Sequence, residues 1–185
     1  MTLGERRSRS VRADAARTWS VVEGVGGPAG WYAFTRLWAF RAALDRLVGG
    51  PGMRGRPSRP LRVGDVVDFW VVEAVEPCRS LTLRAQMRMP GTARMTLTVT
   101  PAGSGRSSGS DAGPRTASTG SASTDSAPTP SATTDSPSPG SVLEQVITFE
   151  PRGVAGLAYW YGQLPAHRVV FAAMHRAMVR AAERG

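Results

Sequence analysis

The chain has 185 residues, 41% of them hydrophobic, and a formal net charge of +9. That supplies one core of ordinary size and leaves no length for several domains. All 23 cations are arginines in a sequence without lysine or asparagine, so the charge reads as a GC-rich coding bias and argues only weakly for nucleic acid.

The opening stretch MTLGERRSRSVRA lacks the apolar run of a signal peptide, and no segment of the chain is apolar for long enough to span a membrane. Residues 1–13 read as a disordered basic tail, residues 14–185 as one domain, and the expected compartment is the cytoplasm. DAARTWSVVEGV follows, with Asp14 as N-cap and Ala15, Trp19 and Val22 at helical spacing. After the breaker GGPAG, the stretch WYAFTRLWAFRAALDRLVGG carries a second helical stripe and stops at Gly49-Gly50. GVGGPAG lies between helical candidates rather than after a strand, so it is not a dinucleotide loop, and no cofactor is expected. PGMRGRPSRP is a basic connection.

From Leu61 the period becomes two. VGDVVDFWVVEAVEP reads as one strand between Gly64 and Pro77. If it buries Val66, Trp70 and Val72, Asp68 turns inward; if it buries Val67, Phe69, Val71 and Val75, Glu73 does. SLTLRAQMRM and ARMTLTVT alternate around PGT, and a three-residue loop would pair Met89 with Ala93, Met87 with Met95 and Ala85 with Leu97. Residues 102–140 are almost wholly Gly, Ser, Thr, Ala, Pro and Asp, and read as a disordered insert in a hairpin rather than a linker between domains. Beyond it, VLEQVITFEP is a strand in which Gln145 shares the phase of Leu143, Ile147 and Phe149.

The helical period then returns. Leu157, Trp160, Tyr161 and Leu164 form a short face, Pro165 breaks or restarts the helix, and Val170, Met174, Ala177, Met178 and Ala181 face inward on a long terminal helix. Arg168, Arg176, Arg180 and Arg184 mark its outer face, with His175 at solvent among them. Two helices, at least four antiparallel strands and a C-terminal helix define an α+β fold, with that helix laid across the sheet's buried face.

The combination of GWYAF, LDRLVGG, VGDVVDFW, MPGTA and FEPRGVAGLAYWYGQLPAHRVVF resembles an uncharacterised bacterial family. Its members occur alone or as the C-terminal tail of atypical short-chain dehydrogenase-like, NAD(P)-binding proteins. Through that family the chain resembles the START-like helix-grip (SRPBCC) superfamily of polyketide cyclases and lipid-binding domains. The resemblance covers roughly residues 14 to 101 and 141 to 184. It implies an antiparallel sheet wrapped around a long C-terminal helix and a small hydrophobic or amphipathic ligand between them. It also implies an NAD(P)-binding dehydrogenase-like protein as a partner, and no established activity.

Asp68, Trp70, Met87, Met95, Gln145, Tyr161, His167 and Met174 are the candidate ligand-binding residues; no residue is assigned a catalytic or metal-binding role. For each, a plain core role stands beside the pocket role. Tyr161 and His167 are polar tips on an apolar body, methionines adapt to irregular shapes, and an inward carboxylate needs a partner. A cyclase- or dehydratase-like enzyme using Asp68 or Glu73 with His167 is the competing reading, and a docking module the next. Nucleic-acid binding through Arg6, Arg7, Arg9, Arg12 and the 54–62 loop is disfavoured. One cysteine, Cys78, excludes an internal disulfide, and two histidines leave no zinc cluster.

Overall fold

The computed structural model describes residues 1–28, 30–33, 54–103 and 140–184, with a few positions between 40 and 50. Six antiparallel strands form one sheet in the order β1-β6-β5-β4-β3-β2. They are β1 (Leu3–Val11), β2 (Val66–Val67), β3 (Trp70–Glu76), β4 (Ser80–Ala85), β5 (Gly91–Pro101) and β6 (Ser141–Pro151). Helix α1 (Ala15–Glu23) follows β1, and the long helix α2 (Gly153–Glu183) closes the chain. α1 starts where the sequence places it, with the Asp14 carboxylate accepting from the Arg17 N–H at 2.7 Å. The second expected helix, over 31–50, and the expected disorder of the insert fall mostly on residues outside those described.

Alternation explains the sheet. On one face Leu81 and Leu83, Met95, Leu97 and Val99, and Leu143, Ile147 and Phe149 are almost wholly buried. The opposite face carries Thr82, Arg84, Arg94, Thr96 and Glu144, none of them buried. Against the apolar face α2 lays Val170, Phe171, Met174, Met178 and Val179, and α1 adds Trp19 and Val22. The result is the helix-grip arrangement: an antiparallel sheet with a C-terminal helix on its buried face.

Several expectations are corrected. Residues 3–11 are not a disordered tail but an edge strand, paired with β6 from Leu3↔Phe149 to Val11↔Ser141. Between Leu3 and the buried Val11 its inward-phase positions are Glu5, Arg7 and Arg9, so no apolar alternation announces it. Charges suit an edge strand, because they discourage pairing with another chain.

The 64–77 stretch is not one strand. Val67 pairs with Trp70 across a turn made by Asp68 and Phe69, and Asp68 takes a left-handed φ of 55° that aspartate tolerates. A bulge between Val72 and Ala74 then changes the phase of β3, so Val72 and Val75 both face Leu83 and Leu81 across the ladder. Neither single-phase reading of this stretch survives.

The β4–β5 register is also shifted. Leu83 faces Met95 and Leu81 faces Leu97, four residues away from the expected pairing, and residues 86–90 make the connection. A slip by an even number leaves every side chain on its face, so the hydrophobic pattern cannot exclude it. Pairing by three-residue loop would have kept Met87 and Met89 in the ladder; instead they peel away from it.

Pro165 neither ends nor restarts α2, which runs through it with the proline ring exposed. The insert is confirmed as lying within a hairpin. β5 and β6 pair from Gly91↔Pro151 to Pro101↔Ser141, and the Ala102 N–H donates to the Gly140 carbonyl at 2.6 Å. Ser141 also anchors this end, sharing a 2.7 Å hydrogen bond with Thr18 and donating to the Ala13 carbonyl at 2.9 Å.

Candidate functional site

The first half of α2 does not close onto the sheet. Between it and the ends of β3, β4 and β5 lies a cleft of about 60 Å³. Its apolar wall is formed by Trp70, Met87, Met89 and Phe171, and its polar tips come from Tyr159, Gln163 and His167. The space holds a few waters and falls well short of the roughly 300 Å³ typical for a drug-sized ligand.

Two nitrogens in this lining are buried without a hydrogen-bond partner: Trp70 Nε1 and His167 Nδ1. Buried polar groups are nearly always paired, so two orphans in one small cleft mark a place where packing is incomplete. The His167 ring is held by aromatic neighbours, with centroids 4.3 Å from Phe171 and 5.5 Å from Trp160. Burial pushes its pKa down to about 4, against the pull of Glu5, whose Oε2 lies 3.9 Å from Nδ1. At neutral pH the ring is therefore an uncharged donor and acceptor.

Glu5 itself reaches inward from β1. Burial alone would raise its pKa, but hydrogen bonds from Arg7 at 2.6 Å and Arg168 at 2.9 Å outweigh that and hold it below the ordinary carboxylate value. Nothing in the local sequence marks Glu5, because its strand reads as a tail.

The remaining candidates separate into groups. Met95 and Met174 are fully buried core around Gln145, whose Nε2 lies 3.5 Å from Met95 Sδ and 3.9 Å from Met174 Sδ. Gln145 Oε1 is buried without a partner. Tyr161 is 58% exposed on the outer face of α2 and does not join the cleft; Tyr159, two positions earlier, does. His175, expected at solvent, is 2% exposed, and its Nε2 donates to the Leu143 carbonyl at 3.1 Å.

Asp68 is buried, but as a structural staple. Its Oδ2 accepts from Trp31 Nε1 at 2.8 Å and its Oδ1 from the Gly55 N–H at 3.2 Å, with no arginine paired to it among the described residues. Glu73 lies on the outer face of the sheet, 2.8 Å from Arg94 and 3.5 Å from Arg84. Neither carboxylate meets His167, so the acid-base pairing considered from sequence is not assembled. Three of the four 54–62 arginines are turned onto the protein as well: Arg54 on Gln86, Arg56 on the Glu23 and Val25 carbonyls, Arg59 on Asp65. Among the described residues no group of three His, Cys, Asp or Glu stands together as metal ligands, and no helix is long and apolar enough to cross a membrane.

A six-stranded antiparallel sheet gripping a C-terminal helix, with an incompletely packed cleft at one end, defines an α+β helix-grip domain. Over residues 1–174 the sequence matches the family described as "Protein of unknown function (DUF2867)", and the chain belongs to that family. No curated protein matches it.

Solved structures of similar shape include an aromatase/cyclase from Streptomyces sp. R1128, 13% identical, covering 100% of this chain and 95% of the other at a TM-score of 0.47. A norcoclaurine synthase from Thalictrum flavum is 12% identical, with coverage of 97% and 92% and a TM-score of 0.45. A Chromobacterium violaceum protein is 12% identical, with coverage of 97% and 96% and a TM-score of 0.46. Likenesses this distant add nothing to the topology already described.

Proposed function

We propose that the domain binds a small hydrophobic or amphipathic molecule at the cleft under the first half of α2. The observation that carries this reading is the pair of buried, unpartnered nitrogens, Trp70 Nε1 and His167 Nδ1, in a lining that is mostly methionine, alanine and aromatic, with Gln163 its other polar side chain besides Tyr159. An amphipathic guest would place its polar end on these groups and its apolar body against Met87 and Met89. Both methionines are only half-buried and have three rotatable bonds each, so they swing aside to admit a guest larger than the resting space.

Native mass spectrometry of the freshly purified chain, followed by denaturation and analysis of what is released, tests the proposal. The expected result is a reproducible adduct that is lost in Trp70→Phe, which removes one N–H at little cost in shape. An adduct retained in both Trp70→Phe and His167→Phe sinks the cleft as its site.

A second reading has its own observation. The outer face of α2 presents Val154 at 82%, Tyr161 at 58% and Val169 at 61% exposure, one stripe at helical spacing with Ala158 and Pro165 between them. An NAD(P)-binding, short-chain dehydrogenase-like protein is the partner the family resemblance implies for such a face. Co-elution of the two purified proteins, abolished by Tyr161→Arg, is the outcome this reading requires.

A further inference from the structure

We infer that the groove between edge strand β1 and the middle of α2 is a binding site for a small phosphorylated molecule. The groove is open, holds about 410 Å³ and is lined by Arg6, Arg7, Ser8, Arg9, His175 and Arg176, with no acidic residue in its lining. It lies apart from the Trp70–His167 cleft, and neither proposal depends on the other.

Alternation along β1 creates the convergence. Arg7 and Arg9 share the phase of the buried Val11 and so face α2, where one helical turn separates Ala172 from Arg176. Like charges brought together across a strand and a helix repel one another unless something compensates them. Glu5 compensates part of Arg7 through Nη2 at 2.6 Å, and leaves Arg7 Nη1 buried without an acceptor. Arg6 is 71% exposed and meets Glu144 only at 3.7 Å. Arg9 and Arg176 have no carboxylate partner among the described residues. His175 supplies no counter-charge: burial, and then the nearby Arg9 and Arg7 charges, lower its pKa against the opposing effect of its hydrogen bond to the Leu143 carbonyl.

Two exposed guanidiniums without a carboxylate partner and a buried, orphaned N–H on a third suit a ligand with at least two negative charges and several acceptor oxygens. A phosphoryl group meets that demand; a carboxylate, with one charge and two oxygens, does not. The volume takes a phosphate together with part of the molecule that carries it, and the open side leaves room for the remainder.

The test is calorimetric titration of the full chain at low salt with inorganic pyrophosphate and with glycerol phosphate. An Arg9→Gln, Arg176→Gln pair is compared with an Arg62→Gln, Arg79→Gln pair that removes the same charge elsewhere. Saturable binding, weakened at least about tenfold by the groove pair and unchanged within about twofold by the distant pair, is the expected result. An Arg9→Lys, Arg176→Lys pair keeps the charge and the fold and loses only the planar fork, so intermediate weakening is expected there. No saturable binding of either phosphate, or equal weakening by both glutamine pairs, overturns the inference. So does binding confined to phosphatidylglycerol vesicles or to a DNA duplex, which would assign the arginines to a lipid surface or to nucleic acid.

Discussion

Beyond Val169, α2 buries Val170, Phe171, Met174, His175, Met178, Val179 and Ala182, a contact on every turn, whereas between Gly153 and Val169 it buries only Gly156 and Trp160. The second half is core, sealed against Leu97, Leu143 and Ile147. The first half has two buried pins and is otherwise tied only by partly exposed contacts such as Arg168 on Glu5. Trp160 stacks on Phe149 at 5.5 Å and 7°, and Gly156 sits so close to the Pro90 carbonyl and Pro151 that no side chain fits there. Between those pins and the sheet lie the cleft and its unpartnered nitrogens, and outside them the exposed apolar stripe. One helix thus joins a densely buried half to a sparsely buried one; the cleft and the apolar stripe lie along the sparse half, while the arginine groove flanks the buried half on its β1 side.

The largest effect that separates the halves is truncation. Met174→Ala is expected to cost about 2–5 kcal/mol of stability in urea unfolding, while Tyr161→Ala stays within about 0.5 kcal/mol. Comparable losses from both substitutions would break the distinction.

Next in size is an acid dependence that belongs to the open half. An unfolded imidazole takes up its proton near 6.5, whereas folded His167 does so only near 4, so between these values the unfolded chain holds more protons and falling pH favours it. Stability should be intact above about pH 6.5 and decline by about 3 kcal/mol as pH falls to about 4. The decline should be reduced in His167→Phe. The lowered pKa of His175 acts in the same direction, so part of it should survive that substitution. Urea titrations at stepped pH measure both contributions.

The smallest of the three effects sharpens the account of the pins. Gly156→Ala forces helix and sheet apart at Pro90, at a cost of about 1–3 kcal/mol, and should raise amide exchange in residues 153–163 while leaving 170–182 protected.

The closed half of this architecture was legible in the sequence, and the open half much less so. Leu81, Leu83, Leu97, Leu143, Ile147, Met174 and Met178 announce their faces by period, because burial selects apolar residues one by one. Between Leu3 and Val11 the inward positions of β1 are the charged Glu5, Arg7 and Arg9, and charged side chains leave no apolar period to read. The turn at Asp68 hides within a continuous apolar run, since Phe69 is buried although it lies in the turn. Tyr159 and Tyr161 differ by two positions on a helix, and local spacing cannot say which of them a cleft will receive when the register of the opposing strands is itself off by four. His167 was visible as a candidate; its neutral state depends on burial beside Trp160 and Phe171 of its own helix, which outweighs the pull of Glu5 from the far end of the chain.

The hairpin root at Pro101 and Ser141 has a consequence for engineering. Every rung of the β5–β6 ladder, and the Ser141 hydroxyl bonds that lock its end to α1, are made without any residue from 104–139. The two ends of that stretch are therefore delivered to one fixed doorway. It is the natural point at which to graft a reporter protein, or to split the chain into two fragments that reassemble through the ladder.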